Sequence, residues 1–136
     1  MKKMTTMIAL MMILSLKLLA PDLHQTVIVK DDPVKPFQKL IYAVGMTEGR
    51  CDTLAYNEKE GAVGFFQIRL VRLNDYNERT RSSYTMNDMY NYIIAEKIFL
   101  YYASSIGPYN LEKIARNWNG SGPMTTIYWN KVKLYL

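Results

Sequence analysis

The block Gly61-Ala62-Val63-Gly64-Phe65-Phe66-Gln67-Ile68 constrains this chain more than any other stretch. Upstream, Phe37, Leu40, Ile41 and Val44 recur at helical spacing, and downstream Met89, Tyr92, Ile93, Glu96, Phe99 and Leu100 do so again. Within the block that period is lost. Two glycines admit backbone turns that a Cβ would obstruct. The apolar run after them is too short for periodicity to choose between a strand and a turn entering a helix. The chain must change direction here, and β structure is expected here alone. The upstream helix, with Pro36 suited to its first turn and its end bracketed by Gly45 and Gly49, places Glu48 in its last turn, one turn beyond Val44.

The remaining segments read as helices and their breaks. Arg50 to Glu60 is polar and expected as a loop, and the charged, asparagine-rich run from Arg69 to Ser83 as a partly irregular crossing. Thr85 and Asp88 form a capping-box pair for a helix expected to run to about Ser104, which Gly107-Pro108 ends. Asn110 caps a short helix with Leu111, Ile114, Ala115 and Trp118 on one face, ended by Gly120 to Gly122. Pro123 opens a last helix, with Ile127, Tyr128, Lys131 and Leu134 predicted to share a face. The expected fold class is mostly α, with some α+β character. It is a helical domain over residues 37–136 with a small β-hairpin or turn region after Glu48.

The N-terminus has a different character. Lys2-Lys3, an apolar core from Met7 to Leu16 and the small Ala20 describe a secretory signal peptide over residues 1–20. The apolar core is short for a membrane span and Lys17 interrupts it, so a retained anchor is the alternative. Pro21, Pro33 and Pro36 mark residues 21–36 as an extended linker. Either way the domain is expected outside the cytoplasm, in the periplasm or cell envelope or beyond it. With 136 residues there is room for one small domain. The formal charge of +5 shrinks to +2 once Lys2, Lys3 and Lys17 are set aside. No basic stripe with interleaved aromatics stands out, so nucleic acid is not expected as a partner. A mild positive excess is compatible with an anionic cell-wall polymer.

Cys51 and His24 are the only cysteine and histidine. An internal disulfide, a cysteine-based metal cluster, a multi-histidine metal site and Ser-His-Asp or Cys-His catalysis are all excluded on that count. Chemistry must rest on carboxylates, amides, hydroxyls and backbone. Cys51, three residues from Glu48 and without an activating histidine, reads as an inert thiol. A glutamate held at an apolar boundary is suited to general-acid work, because desolvation raises its pKa toward neutrality.

The order of these pieces resembles a known family. Glu48 is followed thirteen positions on by Gly61-Ala62-Val63-Gly64-Phe65-Phe66-Gln67-Ile68, and later by Ala115-Arg116-Asn117-Trp118-Asn119-Gly120-Ser121-Gly122. This is similar to the lysozyme-like lytic transglycosylases of the soluble type, related to goose-type lysozyme, over roughly residues 37–135. The resemblance implies a monomeric enzyme acting on peptidoglycan glycan strands. Glu48 would be the catalytic acid, with Gly64, Phe66, Gln67, Trp118 and Asn119 at the substrate. It also implies that one carboxylate suffices, with no metal or cofactor. The substrate's N-acetyl group stabilises the cationic carbon, and the 6-hydroxyl of N-acetylmuramic acid closes a 1,6-anhydro ring.

Two positions depart from the family pattern. Gly49 stands where a serine usually follows the glutamate, and Trp118 stands where a tyrosine precedes the asparagine. Hydrolysis by two carboxylates is the alternative reaction, with Asp52, Glu58 and Glu60 as candidates for the second. A non-catalytic peptidoglycan-binding or assembly protein on the same scaffold is the alternative from another class. A membrane-anchored helical interaction protein is a third.

Overall fold

A computed structural model describes residues 35–136, so the signal-peptide reading and nearly all of the linker lie outside the described residues. Helix α1 spans Gln38–Gly49 and buries Leu40, Ile41, Ala43 and Val44, close to the face read from spacing. It ends at Arg50 in the left-handed region (φ 56°), whose amide donates to the Gly45 carbonyl. Cys51 is also left-handed (φ 62°), so the chain swings sharply off the helix just after Glu48. Gly45 lies under the Phe65 ring, where a Cβ would overlap it.

Strands β1 (Tyr56–Asn57) and β2 (Ala62–Val63) then pair antiparallel, with Tyr56 opposite Val63 and Asn57 opposite Ala62. A tighter second turn follows. Val63 and Ile68 exchange backbone hydrogen bonds of 3.0 and 2.9 Å across Gly64 to Gln67. Strand β2 thus falls in the glycine block, while β1 corrects the expectation of a loop over Arg50 to Glu60, since Gly61 turns the chain back onto Tyr56 and Asn57.

Helix α2 (Leu70–Thr80) corrects the expectation of an irregular crossing. Only Leu73 and Tyr76 of this helix are buried, while Leu70 and Val71 are 56% and 73% exposed, so its apolar stripe is too thin to read. Downstream, the Thr85–Asp88 capping box is present, but it caps a short 3-10 helix, Met86–Tyr90. Asn91 caps again, accepting from the amides of Ile93 and Ile94, and α3 runs Tyr92–Ile106. The single helix expected from Thr85 is two, because two capping side chains compete within seven residues.

Asn110 caps α4 (Leu111–Asn119) by accepting from the Lys113 amide at 2.9 Å, and Ile114, Ala115 and Trp118 are buried as expected. Helix α5 (Met124–Val132) buries Thr125, Tyr128 and Val132, and a 3-10 turn follows at Lys133–Tyr135. Its face differs from the one read: Ile127 and Leu134 are 50% and 79% exposed. The described residues form a mostly helical unit of five α-helices with one small antiparallel hairpin. Its centre is aromatic. Phe66 is fully buried, stacks on Phe99 at 4.8 Å and meets Trp118 edge-on at 6.0 Å. Such rings stabilise the core through apolar area, about 1.5–3 kcal/mol per large side chain, and through about 0.5–1.5 kcal/mol per well-oriented pair. Among the described residues no helix is long and apolar enough to cross a membrane.

Candidate active site

Glu48 sits where α1 ends, and the packing of α5 against α1 sets its environment. The Tyr128 hydroxyl donates to Glu48 Oε1 at 2.7 Å. Burial raises the Glu48 carboxyl from its ordinary 4.5 to about 7; the Tyr128 hydrogen bond and the Arg69 charge oppose that rise, and Glu60 adds to it. A place in the last helical turn, at the negative end of the helix dipole, works in the same direction as burial. Tyr128 is itself buried, and burial together with the neighbouring carboxylate lifts its hydroxyl far above the ordinary tyrosine range. It stays protonated and remains a donor. The site therefore holds a carboxylic acid that keeps its proton to near-neutral pH.

A cleft of about 80 Å³ opens beside this acid, lined by Glu60, Gln67, Arg69, Arg72, Trp118 and Asn119 among others. Glu48, Gln67, Trp118 and Asn119, far apart in sequence, thus meet at one surface. Gln67 is left-handed (φ 48°), and its side-chain Nε2 donates to the Gly64 and Ala55 carbonyls at 3.0 and 3.3 Å. Those bonds hold the strained turn, leaving the amide oxygen as the group it can offer a ligand. The Asn119 side chain has no hydrogen-bond partner among the described residues. Both its donor and its acceptor remain available.

Two expected site residues play other parts, and a third shapes the cleft with its N–H engaged inside the protein. Phe66 is fully buried and cannot reach a substrate; it is the centre of the aromatic core. Gly64 (φ 75°) is needed for packing within the protein, since a Cβ there would overlap the Met89 carbonyl oxygen. The expectation that it admits a sugar is corrected. Trp118 lines the cleft, but it is only 5% exposed and its indole N–H donates to the Phe66 carbonyl at 3.2 Å. It shapes the floor without offering that donor to a ligand.

Tyr128, Arg69 and Arg72 were not singled out from sequence. Arg72 donates to the Asn117 and Trp118 carbonyls at 3.0 Å and lies over the Tyr102 and Trp118 rings at 4.5 and 4.9 Å. Arg69 donates to the Asn119 carbonyl at 3.1 Å and faces Glu60 at 3.8 Å. Both arginines thus cap the free carbonyls of α4, at the helix end that favours cations. Their spacing directly after Gln67-Ile68 was the available signal. Of the three further acids considered, Glu60 alone lines this cleft with Glu48. Asp52 accepts from the Leu54 amide in a local turn, and Glu58 is exposed. Burial pushes the Cys51 thiol up, away from a reactive thiolate. Among the described residues, no three His, Cys, Asp or Glu side chains gather as a metal site.

Comparison with protein-family models, with curated proteins and with solved structures finds no match to this chain.

Proposed function

We propose that this protein is a lysozyme-like peptidoglycan lytic transglycosylase, cleaving the β-1,4 bond between N-acetylmuramic acid and N-acetylglucosamine. The observation that carries the reading is Glu48: one carboxyl, raised to about 7, hydrogen-bonded to a buried tyrosine and lining a polar cleft. Gln67, Trp118 and Asn119 on the same cleft support it, since they belong to the motif set that resembles the family.

The chemistry is a proton relay on one group. Neutral Glu48 gives its proton to the glycosidic oxygen as the bond to the muramyl anomeric carbon breaks. The neighbouring acetamido oxygen stabilises the positive charge left on that carbon. Glu48, now a carboxylate, takes the proton of the muramyl 6-hydroxyl as its oxygen bonds to the same carbon. No water is consumed, and the products are a free 4-hydroxyl and a 1,6-anhydro end. Tyr128 holds one carboxyl oxygen fixed throughout, which orients the other toward its task.

Hydrolysis is the second reading, favoured by Glu60 in the same cleft. The test of the first is Glu48→Gln assayed on purified sacculi. Release of soluble muropeptides should fall by about 10²–10⁴-fold, the usual worth of a positioned acid, with the far-UV circular dichroism unchanged. Undiminished release would overturn the catalytic assignment. Binding to sacculi with no release even by the native chain would favour the non-catalytic scaffold.

A further inference from the structure

Glu48 also lines a second groove, of about 480 Å³, that shares no other residue with the first cleft. Its walls come from the last turn of α1 with the left-handed turn after it, and from the end of α5 with the 3-10 turn that follows. Arg50 and Lys131 line it, together with Met46, Leu134 and Tyr135. Both cations are exposed, and among the described residues neither has an ion-pair or side-chain hydrogen-bond partner. Glu48 is the sole acidic residue on the groove. The first cleft is different, because Arg69 and Arg72 there already hold backbone carbonyls and Arg69 also faces Glu60.

Two uncommitted cations beside exposed apolar surface (Leu134 is 79% and Tyr135 41% exposed) match a ligand that carries carboxylates on a partly apolar frame. The glycan backbone of peptidoglycan is uncharged. Its negative charge sits on the peptide stem that the lactyl ether attaches to N-acetylmuramic acid, adjacent to the bond to be cut. We infer that the Arg50–Lys131 groove is a subsite for the carboxylates of this stem, so that the protein selects stem-bearing glycan over bare glycan. The inference rests on the glycan-cleaving reading of Glu48, and it places stem recognition within one residue's reach of the acid.

The test is calorimetric titration with two probes: soluble, uncrosslinked glycan strands carrying tetrapeptide stems, and the same strands stripped of stems by an amidase. Binding is measured for the Glu48→Gln chain with and without Arg50→Gln and Lys131→Gln together. Stem-bearing strands should bind more tightly than stripped ones. The double change should weaken the stem-bearing complex roughly tenfold, as two exposed ion pairs allow, and leave the stripped one unchanged. Salt should erode the difference. An unchanged melting temperature shows that the double variant folds. Equal affinity for the two probes, an equal loss on both, or no binding of either overturns the subsite. Cleavage surviving Glu48→Gln would instead overturn the catalytic reading and leave the binding comparison standing.

Discussion

At Glu48 two opposing influences meet. Burial drives the carboxyl from 4.5 to about 7, while Tyr128 and Arg69 pull it back toward the ionised form. The folded chain therefore keeps a proton between those values that the unfolded chain has released. Folding stability is undiminished by this group below about pH 4.5 and declines as pH rises through 7. A displacement of this size corresponds to roughly 3 kcal/mol. Glu48→Gln keeps the shape of the protonated acid and removes the titration. In urea unfolding it should match the native chain near pH 4 and exceed it by roughly 3 kcal/mol near pH 8.5. A constant difference across that range would show that the carboxyl is not desolvated. The position of Glu48 was legible from helical spacing and a glycine stop, because both are local. Tyr128 was not, since it lies 80 residues downstream and only the packing of α5 on α1 brings its hydroxyl to the acid. Phe66 shows the opposite limit: a residue inside a motif is near the site in sequence, yet its ring faces the core.

Among the elements, α2 is the one whose role the sequence concealed. It buries only Leu73 and Tyr76 in its own right. Its work is done by Arg72, a charged residue that periodicity assigns to solvent. The guanidinium closes the end of α4 through two carbonyls and covers Trp118, so one side chain ties the start of α2 to the helix that carries Asn119. Arg72→Ala should lower stability by about 2–4 kcal/mol, from lost charge-assisted hydrogen bonds and ring contacts. Amide exchange should rise first in the last turn of α4. Lysine at this position should recover less than half of the loss, because a single ammonium cannot reproduce the planar fork. A loss below about 1 kcal/mol would mean the contacts are surface pairs of little consequence. The caps tell a related story. Asn110 was found because an N-cap is a local device, whereas Asn91 was missed because Thr85 upstream offered an equally good start.

For the whole molecule, the helical class followed from repeated apolar spacing and the hairpin from Gly61 and Gly64. The cleft did not follow from either. Its walls are the end of α1, the hairpin turn at Glu60, the start of α2 and the end of α4, and the aromatic core around Phe66, Phe99 and Trp118 holds them in register together with Arg69 and Arg72. That assembly brings Glu60 alongside Glu48, so the choice between the two proposed reactions rests on one residue. In the single-carboxylate route Glu60 touches no reacting atom. Glu60→Gln should then keep the rate within about threefold, the scale of an exposed charge. It should also move the alkaline limit of activity downward, because the negative neighbour that raises the Glu48 pKa is gone. The products should stay 1,6-anhydro. If Glu60 instead activates a water or attacks the anomeric carbon, its loss should lower the rate by about 10²–10⁴-fold. The native chain should in that case release reducing ends. Mass spectra of sacculus digests from the native and Glu60→Gln chains separate the two outcomes. An anhydro end differs from a reducing end by one water, whatever the rate.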